Sequence, residues 1–112
     1  MSFNRQVWAV ARAIPYGRVT NYGAIADFIG GGSARQVGWA MHQAITADPP
    51  VPAHRVVNRN GVLTGKLHFG SPTMMQQLLE NEGLTIIDDK IQDFKVHFWN
   101  PSTALPMDFL SL

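Results

Sequence analysis

The chain has 112 residues, 46% of them apolar and 15% charged, which suits one globular domain with one modest core and excludes a disordered segment. It has no cysteine, which excludes a disulfide framework, a cysteine-based zinc site and a thiol nucleophile, and a cytoplasmic protein without metal or cofactor is expected. The net charge is only +1, but residues 1–66 hold seven basic against two acidic side chains and residues 67–112 two basic against six acidic. One face turned toward a polyanion is expected.

The N-terminus is not a signal peptide, and no apolar run approaches the roughly 20 residues that cross a bilayer. The spacing predicts a first helix from about Phe3 to Ile14, capped by Ser2, with Phe3, Val7, Val10, Ala11 and Ile14 in one stripe. Pro15 and Gly17 end it. Thr20 is placed to cap a second helix, about Asn21 to Ile29. Gly30-Gly31-Gly32 then turns the chain, and Ser33 with Gln36 forms a capping-box signature for a third helix, about Ala34 to Ala44. Two short helices joined by glycines read as a helix-turn-helix.

Three prolines among Asp48-Pro49-Pro50-Val51-Pro52 make a stiff, extended lead-in. Arg55-Val56-Val57 reads as a strand, Asn58 to Gly61 as a turn and Val62-Leu63-Thr64 as a returning strand, together a wing. A loop with Lys66, His68 and Phe69 leads to a fourth helix opened by Ser71-Pro72 and closed by Gly83. Ile86-Ile87 and Lys95 to Trp99 are candidate strands. The domain is expected to occupy residues 1–100, with an irregular tail over 101–112.

The segment Val51-Pro52-Ala53-His54-Arg55-Val56-Val57 resembles the active-site segment of the O6-alkylguanine-DNA alkyltransferases, Pro-Cys-His-Arg-Val, with Ala53 where their alkyl-accepting cysteine stands. Three further segments match in order: Ile14-Pro15-Tyr16-Gly17-Arg18-Val19 with Tyr22, then Ala34-Arg35-Gln36-Val37-Gly38-Trp39-Ala40-Met41, then Leu79 to Gly83. Together with the Asn58 to Gly61 turn they cover about Phe3 to Trp99. The chain is thereby similar to the alkyltransferase-like proteins, which resemble the repair enzyme's C-terminal, DNA-binding domain but lack its nucleophile.

That resemblance implies a small α/β-type (α+β) winged helix-turn-helix. It implies a non-enzymatic sensor that binds O6-alkylguanine in duplex DNA through the minor groove, flips it, and flags it for nucleotide excision repair proteins. Arg35 would refill the base stack and Tyr22 would press on the phosphate of the flipped nucleotide. The DNA contacts implied are Thr20, Tyr22, Ser33, Ala34, Arg35, Gln36, Gly38 and Trp39. The lesion pocket implied is Tyr22, Val51, Pro52, Ala53, His54, Arg55 and Lys66, with His54 and Glu82 relics of the relay that once activated the thiol. Ala34 and Gly38 lie four apart, so small side chains suit a narrow groove. Two departures stand out: Asp48-Pro49 replaces the family's Asn-Pro, and Lys66 lacks the stacking plane of an arginine. A monomer is expected. The alternatives are a winged-helix transcription regulator, or an alkyltransferase that uses water or was engineered from Cys to Ala.

Overall fold

The computed structural model describes residues 1–111. Helix α1 (Phe3–Arg12) starts where the Ser2 side chain accepts from the Arg5 N–H, and it buries Val7, Val10 and Ala11. It stops two residues before Ile14, because Ala13 and Ile14 donate to the carbonyls of Val10 and Ala11 in a tightened final turn. Helix α2 (Tyr22–Ile29) is capped by Asn21, whose side chain accepts from the Ala24 N–H at 2.8 Å. Thr20, expected in that role, lies one residue too early and belongs to a strand.

Helix α3 (Ala34–Gln43) carries both halves of the expected capping box: Ser33 Oγ accepts from the Gln36 N–H, and Gln36 Oε1 accepts from the Ser33 N–H. The preceding turn needs glycine at Gly32 for a spatial reason. A Cβ there would sit 2.3 Å from the Phe3 ring, so any other residue would make that ring move.

Strand β1 (Thr20–Asn21) pairs in parallel with β2 (Val56–Val57), Thr20 opposite Val56 and Asn21 opposite Val57. Because side chains alternate along a strand, this short pair separates two cores. Val56 joins the three-helix core with Val10, Ile14, Ile25, Val37 and Trp99. Val57 joins a second core with Val19, Leu63, Met75, Leu79 and Ile91.

The wing differs from expectation. The turn forms, with Asn58 Oδ1 accepting from the N–H groups of Asn60 and Val62, but the returning segment leaves β2. Leu63 N–H donates to Asp89 O and Ile91 N–H to Gly61 O, so this segment adds instead to the antiparallel pair of β3 (Ile86–Ile87) and β4 (Lys90–Ile91). That arrangement buries Leu63 fully in the second core.

Helix α4 (Met74–Asn81) begins two residues after Pro72. Residues expected as a strand before Trp99 form the short helix α5 (Phe94–His97), followed by a bridge from Phe98 to Val19. One helical turn brings the Phe94 and Phe98 rings together, centroids 5.6 Å apart. Over residues 101–111 the tail is not irregular throughout. Asn100 caps α6 (Pro101–Ala104), and Leu105, Phe109 and Leu110 pack on the three-helix core.

Candidate nucleic-acid interface and base cavity

The exposed face of α3 meets the start of α2 and the loop after Val62 across an open cavity of about 710 Å³. Its helical wall is Ala34, Arg35, Gly38, Trp39 and His42. The i, i+4 spacing of Ala34, Gly38 and His42 aligns them, and the two small residues leave the helix close to whatever enters. A Cβ added at Gly38 would point into open space. Arg35 lies with its guanidinium 5.1 Å from the centre of the Trp39 ring, one turn on, and Trp39 is 59% exposed. A cation thus lies over an aromatic ring at the rim, a contact worth about 0.5–1 kcal/mol when exposed.

Tyr22, the first residue of α2, lines the opposite side. Burial pushes its phenol up from its ordinary value, against a lesser opposing effect of Thr64, so the hydroxyl stays protonated. Gly65 lets the Tyr22 hydroxyl lie against the chain, since a Cβ there would be 3.2 Å from that oxygen.

The wall facing α3 includes the methyl group of Ala53. Ala53 opens a short 3₁₀ turn, Ala53–Arg55, that runs straight into β2, so its position is fixed by strand pairing to β1. Behind it, the next two side chains converge on Glu82, whose side chain is only 5% exposed. His54 Nε2 lies 2.6 Å from Glu82 Oε2. Arg55 donates to the same carboxylate through Nε and Nη2 and to Ile14 O through Nη1, and the Gly17 N–H donates to Glu82 Oε1 at 2.8 Å. Burial opposes the charge on Glu82, but Arg55, the Gly17 N–H and His54 outweigh it and hold its carboxyl below the ordinary 4.5. Burial also lowers His54 from its ordinary 6.5, with the Glu82 contact acting in the opposite sense. Near neutral pH the pair is therefore a neutral imidazole donating to a carboxylate. It is a base with no thiol beside it, since Ala53 carries only a methyl group, and Glu82 also clamps Gly17 to the end of α4.

Residues 2–84 match the model of the 6-O-methylguanine DNA methyltransferase DNA-binding domain. The chain is 34% identical over 104 residues to alkyltransferase-like protein 1 of Schizosaccharomyces pombe, covering 88% of this chain and 95% of that one. The chain belongs to the alkyltransferase-like family. It is also similar to the DNA base-flipping protein of Escherichia coli K12, 35% identical over 100 residues, covering 88% of this chain and 75% of that protein. It spans about half the length of the bacterial methylated-DNA–protein-cysteine methyltransferases it matches; that of Salmonella typhimurium is 43% identical over 86 residues, 76% of this chain and 48% of the enzyme. The crystal structure of the S. pombe protein in complex with damaged DNA containing O6-carboxymethylguanine superposes with a TM-score of 0.74 at 32% identity, over 88% of this chain and 95% of that one.

Within this alkyltransferase-like domain Tyr22, Ala34, Arg35, Gly38, Trp39 and Ala53 line one cavity. Ser33 and Gln36 are exposed at the start of α3, each engaged with the other. Thr20 is fully buried and cannot reach DNA. Val51, Pro52, His54 and Arg55 line a separate cavity of about 570 Å³ behind Ala53. Lys66 does not line this cavity: its ammonium is held 2.5 Å from Asp89 Oδ2. Gly65 and His68 line it instead, with Met41, His42, Gln43, Asn58 and Thr64, none of which the sequence marked as site residues. His42 had a legible signal, standing four residues after Gly38. Among the described residues, no group of three or more histidine and acidic side chains could hold a metal ion, and no helix is long and apolar enough to cross a membrane.

Proposed function

We propose that this chain binds O6-alkylguanine in duplex DNA, flips the damaged nucleotide into the cavity between α3 and Ala53, and holds it without alkyl transfer. The observation that carries this reading is the Ala53 methyl in the cavity wall, in a chain with no cysteine, beside an assembled but idle His54–Glu82 pair. Alkyl transfer needs a thiolate made by a neighbouring base, and here the base has no thiol to act on. What remains is binding. The small-residue face of α3 enters the minor groove, Arg35 leaves the Trp39 ring and fills the gap in the base stack, and Tyr22 crowds the phosphate of the flipped nucleotide. Flipping costs a few kcal/mol, and refilling the stack offsets part of it. The long-lived complex then marks the lesion for nucleotide excision repair proteins. The S. pombe relative's complex with DNA containing O6-carboxymethylguanine and the similarity to the E. coli DNA base-flipping protein support a lesion-binding, base-flipping role.

The test is a paired titration of one duplex with and without a single O6-methylguanine at fixed salt, followed by the intact mass of the protein and of the DNA. Tighter binding to the alkylated duplex with both masses unchanged is expected. A methyl gained by the protein, or lost from the DNA to water, makes the chain an enzyme. Equal affinity for both duplexes favours the transcription-regulator alternative.

A further inference from the structure

We propose that the cavity between the wing turn and α5 seats a sugar–phosphate unit of the DNA strand beside the flipped nucleotide, which makes α5 part of the DNA interface and Lys95 a phosphate contact. This rests on the lesion-binding reading above and extends it to a surface outside the base cavity.

The cavity has a volume of about 260 Å³ and is lined by Asn21, Arg59, Phe94, Lys95 and Phe98. The two phenylalanine rings are half-buried, and the fold holds both in place. Gly61 lets the Phe94 ring lie against the wing turn, since a Cβ there would be 3.1 Å from it. Phe98 bridges to Val19, and Arg18 Nη2 donates to the Phe98 carbonyl at 2.6 Å. Around these rings stand only donors and cations. Arg59 and Lys95 are exposed, and neither forms an ion pair among the described residues. Asn21 uses its side-chain oxygen to cap α2, which leaves its amide N–H groups to donate. Apolar rings suit the carbon face of a deoxyribose, and the surrounding donors suit the phosphate attached to it.

The position of this cavity favours DNA as its occupant. Asn21 immediately precedes Tyr22 and Arg59 immediately follows Asn58, and both Tyr22 and Asn58 line the base cavity. A strand that turns one nucleotide in past Tyr22 therefore carries its adjoining backbone toward Asn21 and Arg59, and Lys95 stands across from them. Lys95 comes from residues 67–112, where acidic side chains outnumber basic ones, so the charge pattern along the chain conceals its place on the basic face. Asp93, two residues before it, lines a neighbouring cavity with Lys90 and does not line this one. A phosphate held here fixes the register of the strand without reading its sequence.

The experiment replaces the phosphates of one strand, one at a time, by neutral methylphosphonates, in a duplex with and without a single O6-methylguanine in that strand. Each duplex is titrated with the whole chain, with Lys95→Ala and with Lys90→Ala, and thermal melts confirm that both variants fold. The wild type should lose affinity at a particular phosphate close to the lesion, and Lys95→Ala should be insensitive to replacement of that phosphate while it still responds at others. Lys95→Ala should weaken alkylated and plain duplexes alike and lower the slope of log affinity against log salt by about 0.9, the loss of one phosphate contact. Lys90→Ala should keep the wild-type response at that phosphate. A Lys95→Ala variant that binds more weakly yet responds as the wild type does at every phosphate overturns the seat, and so does the same insensitivity in Lys90→Ala. DNA binding unchanged by Lys95→Ala also overturns it and leaves the cavity to another partner, such as an acidic protein segment. The lesion-binding reading stands through any of these results if the wild type prefers the alkylated duplex. Equal wild-type affinity for the two duplexes overturns that reading, and the response at the single phosphate still decides whether Lys95 holds the backbone.

Discussion

Replacing Glu82 by alanine should destabilise the fold far more than any change at an exposed ion pair. The carboxylate is 5% exposed, accepts from Gly17, His54 and Arg55, and holds an Arg55 side chain that is only 16% exposed. Removing one partner of a buried pair costs about 3–5 kcal/mol. Arg55 keeps its bond to Ile14 O and its position 5.7 Å from the Tyr16 ring, so the lower end, about 3 kcal/mol, applies. With an unfolding entropy of about 2.1 cal/mol/K per residue, that lowers Tm by roughly 13 °C. Thermal melts followed by circular dichroism would measure it, with Lys66→Ala as the comparison. That change breaks the Lys66 pair, whose side chains are 34% and 40% exposed, and should cost at most about 1 kcal/mol. Equal shifts for the two variants would refute the hub. The pH dependence has the same origin. Glu82 titrates below its ordinary 4.5 in the folded chain, so its contribution is full above that value and is lost as pH falls through the folded value. His54, lowered from 6.5, favours the folded state at higher pH and gives part of that up as pH drops below 6.5. Wild-type stability should therefore fall on acidification, and Glu82→Ala should flatten the decline.

Three further outcomes are expected. Arg59→Ala, at an exposed turn residue, should weaken alkylated and plain duplexes about equally and lower the salt dependence of binding, as loss of one phosphate contact does; a lesion-selective loss in titrations at several salt concentrations would place Arg59 at the base instead. Arg18→Ala should lower Tm and spare DNA affinity, because Arg18 donates to the carbonyls of His97 and Phe98 and is committed to the fold; duplex binding that weakens with Tm unchanged would contradict this. After incubation with O6-methylguanine duplex the intact protein should show no added methyl mass, since Ala53 presents only a methyl group.

The helical half of the site was legible because its signals are local. Ser33 and Gln36 announce the start of α3, and Ala34, Gly38 and Trp39 follow at helical spacing. The other wall was not. The parallel pairing of Val56 with Thr20 joins residues far apart in the chain, and no local pattern says that Thr20 is buried by it or that Asn21 takes over the cap. Lys66 looked free until Asp89 arrived beside it from the β3–β4 turn. His68 sits on a 3₁₀ turn between glycines, where neither helical nor strand periodicity reports which way a side chain faces. The tail carried an Asn100-Pro101 helix start, but a four-residue helix leaves almost no periodic trace, and its packing depends on Phe28 as the partner for Phe109.

The central claim is that a nucleotide leaves the stack and Arg35 takes its place. A fluorescent base analogue placed beside O6-methylguanine reads this directly, because such a base brightens when its neighbour is extruded. Wild-type protein should brighten the alkylated duplex and leave the plain one dark, and Arg35→Ala should abolish the signal together with most of the preference for the lesion. Tight binding by the wild type with no change in fluorescence, and an Arg35→Ala variant that loses affinity for both duplexes in proportion, would contradict it.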